Sequence, residues 1–170
     1  MPTRHTRADT ELGELTLVAV DDALTGLYFP HHWYPPADDA IGPYVRVGDD
    51  PLFTRAAAEL AEYLAGRRTS FDVPISASGD PFQERVWALL EEIPYGTTTT
   101  YGALAEQLGN RSLAQRVGQA VGRNPVSIVV PCHRVVGGDG ALTGYAGGLG
   151  RKRVLLNLEE PAEVRAGRLF

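Results

Sequence analysis

The sequence predicts an α+β protein with two halves. Residues 1–78 are predicted to form a small N-terminal α/β domain with an antiparallel sheet. Residues 79–170 are predicted to form a mainly helical domain with a winged-helix-like helix-turn-helix. Two observations predict this division. The first is a change in the predicted elements, from a β-hairpin and a single capped helix to several short capped helices. The second is a segment of small residues at 76–79 that separates the two groups.

The first half begins with the hairpin. Leu15–Val20 and Leu24–Phe29 are rich in apolar and β-branched residues, and Asp21-Asp22 provides the turn between them. A helix is predicted to begin at Asp50-Pro51, since aspartate caps helices and proline suits their first position. Gly66 ends that helix, and Phe71–Ile75 is predicted to be a short strand.

Residues 30–50 are predicted to form a long surface loop, because proline, aspartate and aromatic residues dominate them. Adjacent histidines, His31 and His32, stand at the start of this loop. Adjacent histidines can indicate a metal site, but no Cys, Asp or Glu follows at ligand spacing. We therefore expect no metal.

The second half opens with a helix that begins at Asp80-Pro81 and stops before Pro94. Gln83 stands at the capping-box position of this helix. The β-branched run Thr97–Thr100 favours an extended segment. Thr100 is then expected to cap a helix over residues 101–108, which Gly109 closes.

A third helix is predicted from Leu113 to Gly122, with Ser112 as its cap. Two short helices joined by a glycine-containing turn are typical of a helix-turn-helix, although ordinary helical hairpins share the pattern. The third helix is rich in small residues, including Gly118 and Ala120. Such residues allow either another molecule to approach the backbone closely or tight packing within the protein.

The most informative stretch is Pro131-Cys132-His133-Arg134-Val135, which holds the only cysteine of the chain. It follows the apolar run 128–130, which we interpret as a short buried strand. A lone cysteine is often only a small buried apolar residue. An imidazole and a guanidinium beside the thiol instead favour thiolate formation, because nearby cations lower a thiol pKa.

The composition limits the function classes. One cysteine excludes an internal disulfide and a multi-cysteine zinc site. No apolar run reaches membrane-spanning length, so we expect a cytoplasmic protein without membrane attachment. The formal net charge is −5, yet residues 100–153 hold seven basic residues and two acidic ones. Folded onto one face, these basic residues would attract nucleic acid.

The last helix is predicted from Arg151 to Glu160. Three cations at its start, Arg151, Lys152 and Arg153, oppose the helix dipole. Nucleic-acid phosphates nearby would offset this repulsion, and full solvation of the three side chains is the alternative.

At this point the sequence resembles the O6-alkylguanine-DNA alkyltransferases, the methylated-DNA–protein-cysteine methyltransferases. The resemblance covers nearly all of residues 80–160 without gaps, whereas residues 1–78 match only in overall layout. The matching motifs are Phe82-Gln83-Glu84-Arg85-Val86-Trp87, Ile93-Pro94-Tyr95-Gly96, Thr100-Tyr101-Gly102, Val117-Gly118, Asn124-Pro125, Pro131-Cys132-His133-Arg134-Val135 and Thr143-Gly144-Tyr145-Ala146-Gly147-Gly148.

The resemblance implies irreversible, stoichiometric transfer of the alkyl group of O6-alkylguanine to Cys132. His133 would take the thiol proton through a water, because adjacent residues on an extended chain point to opposite faces. Glu159 would orient His133, Tyr101 would hydrogen-bond the base and help guanine leave, and Asn124 would hold the active-site turn. The implied partner is double-stranded DNA containing O6-alkylguanine, bound by a monomer that needs no cofactor.

The resemblance also implies binding residues. Backbone groups near Val135 and Ala146 would contact the base, and Tyr145 would line the pocket beside Gly147. The positions implied to contact DNA are Gln115, Arg116, Gly118, Ala120, Arg123 and Arg134.

The sequence departs from the family pattern where an arginine usually fills the gap left by a flipped base. The matching residue is Gln115, and Arg116 lies about 100° further round the helix. Ala146 also replaces a hydroxyl residue of some members, which leaves only its backbone amide to contact the lesion. Two other functions stay open: a cysteine hydrolase, and a protein that binds DNA lesions without repairing them.

Overall fold

The computed structural model describes residues 3–161. The last nine residues of the predicted second domain, 162–170, lie outside the described residues. Within the described part, an antiparallel three-stranded sheet and one long helix are followed by a mainly helical second half. The predicted α+β fold class is confirmed. No helix among the described residues is long and apolar enough to cross a membrane.

The sheet has the order β1-β2-β3, with β1 at Arg4–Thr10, β2 at Gly13–Val20 and β3 at Ala23–Tyr28. Strands β2 and β3 confirm the predicted hairpin. Strand β1 was not predicted, since its sequence is polar. Tertiary partners account for its burial: the Arg4 guanidinium forms a buried ion pair with Asp50, at the start of the following helix.

Helix α1 spans Pro51–Leu64, and the Asp50 carboxylate accepts hydrogen bonds from the first two free backbone N–H groups. This cap and the end of the helix near Gly66, whose φ is +78°, agree with the sequence prediction. The predicted strand at 71–75 forms only at its end, where Ile75 makes a single β-bridge with Leu24 of β3. The backbone N–H groups of residues 72 and 73 bond to the Glu59 carboxylate instead of to a neighbouring strand.

Residues 30–50 form a loop that is only partly on the surface. It contains two short 3-10 turns, Asp38–Ala40 and Val47–Asp49. His32 and Ile41 are buried. The loop therefore packs against the domain and does not simply extend over it.

The second half contains most of the predicted helices. Helix α2 spans Pro81–Glu91 and has the expected capping box between Asp80 and Gln83. Helix α3 spans Tyr101–Gln107 and begins at the Thr100 cap. Just before it, strand β4 at Thr99–Thr100 pairs in parallel with strand β5 at Val135–Val136.

The second helix of the helix-turn-helix, α4, spans Ala114–Gly122 and follows a 3-10 turn at Arg111–Leu113. The prediction that Ser112 caps this helix is wrong. The Asn110 side chain accepts from the Ser112 N–H and hydroxyl and so starts the 3-10 turn, and the N-terminus of α4 has no side-chain cap. Gln115 therefore has no capping role.

The strand predicted at 128–130 is also wrong. The chain turns back on itself here, because Ile128 has a φ of +71°, a left-handed conformation that is costly for a β-branched residue. Cys132–Arg134 then forms a 3-10 turn rather than an extended segment. The last helix of the described residues is α5 at Leu149–Glu159, close to the predicted bounds.

One hydrophobic core runs through both halves. Leu15, Leu17 and Phe53 of the first half belong to the same buried cluster as Val86 and Leu104 of the second. The backbone also joins them, since the Leu27 N–H donates to the Pro125 carbonyl at 2.8 Å. The sheet and α1 thus support the turn that carries the cysteine.

Candidate active site

The single thiol lies at the base of a cavity. Cys132 is 3% exposed and begins the 3-10 turn, and its N–H donates to the Val130 carbonyl at 2.8 Å. The cavity has a volume of about 580 Å³ and a mainly apolar lining. Besides Cys132, its lining comes from the loop after β3, from α3 and α4, and from residues 143–146: Trp33, Tyr34, Tyr101, Ala114, Gln115, Gly118, Gln119, Val121, Gly122, Thr143, Gly144, Tyr145 and Ala146.

The environment of the thiol both opposes and favours its ionisation. Burial raises the pKa of Cys132 above its ordinary value, while the Asn124 side chain and the Lys152 ammonium act in the opposite direction. The cation that stabilises the thiolate is therefore Lys152. Arg134, the cation expected from the sequence, instead makes hydrogen bonds to Glu159.

His133 is completely buried beside the cysteine. Its Nε2 lies 2.7 Å from Glu159 Oε2. A carboxylate only accepts hydrogen bonds, so Nε2 donates, and in the neutral ring Nδ1 is left as an acceptor. Nδ1 is buried and has no hydrogen-bond partner within residues 3–161. Burial lowers the pKa of His133, which keeps the ring neutral and able to accept a proton.

No direct hydrogen bond joins Cys132 to His133, in agreement with the expected relay through a water. The relay was inferred from an extended chain, in which adjacent side chains point to opposite faces. That reason is wrong, because residues 132–134 form a 3-10 turn and not an extended strand. The ring is bonded through Nε2 to Glu159 instead. A water between Sγ and Nδ1 would satisfy the unpartnered nitrogen.

Glu159 is the centre of the buried polar cluster. Its carboxylate accepts from His133 Nε2, from Arg134 Nε at 2.7 Å and Nη2 at 2.9 Å, and from the Tyr63 hydroxyl. Burial alone would raise its pKa, but the hydrogen bonds from His133 and Arg134 outweigh burial and hold the pKa at about 2. Glu159 is therefore ionised at neutral pH.

Asn124 fixes the turn that precedes the cysteine. Its Oδ1 accepts from the Val126 N–H at 3.0 Å, and its Nδ2 donates to the Val130 carbonyl at 2.9 Å. Together these bonds close the turn over residues 124–130, within which Ile128 has its left-handed conformation. A role for Asn124 in the reaction stays a prediction.

Lys152 was missed as a site residue by the sequence reasoning, which treated it as one of three exposed cations. It is fully buried, and its Nζ donates to the carbonyls of Val135 at 2.6 Å and Gly144 at 3.2 Å. Burial lowers its pKa, and the nearby Cys132 opposes that shift. The sequence feature that could have indicated its burial is its spacing, since Lys152 shares one face of α5 with Leu155 and Glu159.

The predicted substrate residues fall into two groups. Tyr101 and Tyr145 line the cavity, and the Thr143 hydroxyl donates to the Tyr101 oxygen at 3.2 Å. Val135 does not line it: its N–H bonds to the Cys132 carbonyl and its own carbonyl accepts from Lys152. Val135 can therefore offer a base only the second lone pair of that carbonyl.

Ala146 lines the cavity, and its carbonyl accepts from the Trp33 N–H at 3.0 Å. Gly147 is buried behind it, where a Cβ would come within 2.3 Å of the Phe29 ring. Gly147 thus permits the loop to pack on the first half, and it does not line the cavity.

The predicted DNA-binding residues are also divided by the structure. Gln115 and Gly118 lie on the cavity side of α4. Arg116 is exposed and lies 3.9 Å above the Phe82 ring, and Arg123 is exposed and lies 4.0 Å from the Tyr34 ring. These four remain candidates for contact with DNA.

Two of the predicted DNA contacts are wrong. Arg134 is buried, with its guanidinium bonded to Glu159 and to the Ile93 carbonyl at 2.6 Å. Ala120 is 3% exposed and packs in the core, and its carbonyl accepts from Trp87 Nε1. Both side chains are therefore almost completely buried.

The basic residues of 100–153 do not form one face. Arg134 and Lys152 are buried, and Arg151 bonds internally to the carbonyls of Leu12 and Gly147. Arg111 pairs with Glu106 at 2.6 Å. The expectation that the cations at the start of α5 face an external anion is therefore wrong for Arg151 and Lys152.

Comparisons with known proteins identify the family of the chain. The sequence model described as "6-O-methylguanine DNA methyltransferase, DNA binding domain" matches residues 81–161. The model described as "6-O-methylguanine DNA methyltransferase, ribonuclease-like domain" matches residues 3–77.

Curated relatives match over most of their lengths. The methylated-DNA–protein-cysteine methyltransferase of Mycobacterium tuberculosis is 45% identical over 159 residues, which cover 92% of this chain and 93% of the relative. The constitutive enzyme of the same name from Bacillus subtilis is 40% identical over 156 residues, covering 91% and 94%.

Solved structures give the same result. The crystal structure of Mycobacterium tuberculosis OGT in complex with DNA aligns with a TM-score of 0.81 at 41% identity, covering 95% of this chain and 97% of that one. The O6-methylguanine DNA methyltransferase of Methanococcus jannaschii aligns with a TM-score of 0.65 at 25% identity, covering 90% and 92%. With its single cysteine in the matching motif, the chain belongs to the methylated-DNA–protein-cysteine methyltransferase family.

Proposed function

We propose that this protein repairs DNA by moving the alkyl group of O6-alkylguanine directly and irreversibly to Cys132. The observation that carries the proposal is the hydrogen-bonded series that ends at the cavity. The ionised Glu159 fixes the tautomer of His133, and this leaves a buried acceptor nitrogen on the same turn as the only thiol. Such an arrangement activates a nucleophile.

The reaction requires one bond to form and one to break. Water carries the Cys132 proton to His133 Nδ1, and the resulting imidazolium is stabilised by the Glu159 carboxylate. Sγ attacks the alkyl carbon, the bond from that carbon to O6 breaks, and its electron pair goes to guanine. The Tyr101 hydroxyl, which lines the cavity, donates a hydrogen bond to the departing base. The guanine anion takes the proton of the Tyr101 hydroxyl and leaves as neutral guanine, and solvent returns a proton to Tyr101.

Lys152 assists by electrostatics. Its ammonium stabilises the thiolate that burial alone would disfavour. Its two bonds to the Val135 and Gly144 carbonyls also join the segment after the cysteine to residues 143–147, which we name the substrate loop. The product is a thioether with no group beside it to restore the thiol, so each molecule reacts once.

The partner is double-stranded DNA, and the damaged nucleotide must leave the duplex to reach a buried sulfur. Helix α4 forms one side of the cavity opening, with Gln115 and Gly118 facing it. Gln115 would therefore occupy the gap left by the flipped base. We expect the protein to act as a monomer in the cytoplasm, without a cofactor.

The test is the intact mass of the protein after incubation with a duplex containing O6-methylguanine. We expect one added methyl group, located on Cys132 by peptide mapping, with at most one event per molecule. Cys132→Ala should stay unmodified. Tight, lesion-specific binding with an unmodified Cys132 would instead identify a lesion binder, and repeated turnover of an ester or amide would identify a hydrolase.

Gln115, which stands where the family usually has an arginine, gives a second test. Arg116 lies above Phe82 of α2 and Gln115 faces the cavity, so position 115 is better placed than Arg116 to fill the gap left by the flipped base. Gln115→Arg should strengthen binding to the lesion duplex by about two- to tenfold, since it adds a cation next to phosphates. Fluorescence anisotropy with Cys132→Ala as background measures this. Unchanged affinity would show that another residue fills the gap.

A further inference from the structure

The cavity that holds Cys132 has one wall from the first half of the chain. Trp33, on the loop after β3, lines the same cavity as Cys132, Tyr145 and Ala146. Its side chain is 53% exposed, which is unusual for an indole that has no other evident role. Neither the residues of the transfer reaction nor those implied to contact DNA include it.

The backbone holds Trp33 firmly in this position. His31 has a φ of +60°, which turns the loop towards the second half. His32 is buried, its Nδ1 accepts from the Phe29 N–H at 3.2 Å, and its ring stacks on Phe29. The Trp33 N–H then donates to the Ala146 carbonyl of the substrate loop at 3.0 Å. The indole is therefore presented by a fixed segment.

The indole lies between the substrate loop and the C-terminal end of α4. A Cβ on Gly144 would come within 2.5 Å of Trp33 Cη2, so the indole edge rests directly against this glycine. A Cβ on Gly122 would lie 3.7 Å from Cζ3, at ordinary contact distance. Trp33 thus closes the space between the two elements and gives the cavity an apolar aromatic wall.

We infer that Trp33 determines which alkyl groups the protein accepts, by providing an aromatic surface for substituents larger than methyl. The inference rests on the proposed function, since the group in question is the O6 substituent. A methyl group is small and gains little from this wall. A benzyl group carries a ring that can pack against the indole in a cavity of about 580 Å³. The protein should therefore transfer aromatic and other large apolar substituents faster than it would without the indole.

The test compares single-turnover rate constants of the wild type and Trp33→Ala on three substrates. These are duplexes with O6-methylguanine and with O6-benzylguanine, and the free base O6-benzylguanine. We expect Trp33→Ala to lower both benzyl rate constants by roughly three- to tenfold and to change the methyl rate constant by less than twofold. Trp33→Phe should recover most of the loss, because it keeps an aromatic face.

Tyr44→Ala is the matched control, since Tyr44 is another exposed aromatic of the first half and is 57% exposed away from this cavity. It should leave all three rate constants unchanged. An unchanged or increased benzyl-to-methyl ratio in Trp33→Ala would overturn the inference. So would an equal loss on both duplexes with none on the free base, because that result assigns Trp33 to DNA contact. Methyl transfer by the wild type tests the proposed function separately.

Discussion

Each half of the molecule contains a buried glutamate on a helix, and the two glutamates have different partners. Glu59 on α1 is 4% exposed and Glu159 on α5 is 3% exposed. Glu59 accepts from the N–H groups of residues 72 and 73 at 2.8 and 3.1 Å and from Arg55 Nε at 3.1 Å. Glu159 accepts only from side chains, one of which is the titratable His133.

This difference separates a structural carboxylate from a functional one. Glu59 holds the backbone N–H groups of residues 72 and 73, and its donors cannot change protonation near neutral pH. Glu159 holds an imidazole whose other nitrogen is buried and has no hydrogen-bond partner among the described residues, on the residue next to the cysteine. A similar degree of burial therefore says little about role, and the chemical nature of the donors decides it.

The largest effect should come from Glu159→Gln. The amide can donate to Nε2, which favours the tautomer with a proton on Nδ1, and that ring cannot accept the thiol proton. The single-turnover rate constant for methyl transfer should fall about 100-fold, the lower end of the contribution of a general base, because the His133 ring itself stays in place. Rapid-quench mass measurement at pH 7.5 gives this value, together with a melting curve to show that the variant folds.

The pH profile excludes a merely structural effect of this substitution. In the wild type the rate constant should decline on the acid side with a midpoint below 6.5, because burial lowers the pKa of His133 from that ordinary value. Glu159 opposes this shift, so its replacement should move the midpoint to still lower pH. A reduced rate constant with an unmoved midpoint would remove Glu159 from proton transfer.

Glu59→Gln is the matched substitution in the first half. It removes the charge that strengthens the bonds from Arg55 and from the backbone, so the free energy of unfolding should fall by about 1–2 kcal/mol. The transfer rate constant per folded molecule should equal that of the wild type. Urea denaturation and active-site titration measure the two quantities. A slower rate in the folded protein would contradict the division between the two glutamates.

The sequence predicted those parts of the structure that depend on local signals. The caps at Asp50, Asp80 and Thr100 fixed the starts of three helices, because capping involves residues within one turn. The failures involve distant partners. Strand β1 is polar and is buried through Arg4 and Asp50, which are 46 residues apart, and no local pattern indicates such a pair.

The same distinction applies to the site. The motif around Cys132 identified the nucleophile and its histidine. It could not show that Arg134 points inward to Glu159 or that Lys152 is the cation near the thiol, because both facts depend on where α5 packs. A run of three cations indicates exposure, and only the spacing of Lys152 with Leu155 and Glu159 hints otherwise.

The stability of the protein should decrease on acidification below pH 6.5. Burial lowers the pKa of His133, and burial together with Arg151 lowers that of His32 to about 4. The unfolded state therefore binds protons first, so stability present above pH 6.5 is lost as the pH falls towards the folded-state values. Below about 4.5 the ionised Glu159 adds to the loss, since its pKa is about 2.

Melting temperatures between pH 7.5 and 4.5 check this dependence. His32→Asn should flatten the curve, because the amide oxygen can replace Nδ1 as acceptor for the Phe29 N–H and does not titrate. His31→Asn is the control, since His31 is exposed. A curve in His32→Asn as steep as in the wild type would assign the dependence to other groups.

The smallest effect should come from Tyr63→Phe. Tyr63 connects the helix that carries Glu59 to the carboxylate of Glu159. Tyr63 lies on α1 with Glu59, yet its hydroxyl donates to Glu159 across 96 residues of sequence. Removing this one donor leaves Arg134 and His133 in place, so the carboxylate should stay ionised but less firmly oriented. We expect the transfer rate constant to fall about two- to fivefold, consistent with a single hydrogen bond of about 0.5–1 kcal/mol.

A double-mutant cycle with Glu159→Gln measures whether the loss acts through the carboxylate: the loss from Tyr63→Phe should disappear in the Glu159→Gln background. Additive losses would mean that α1 supports the site only by packing.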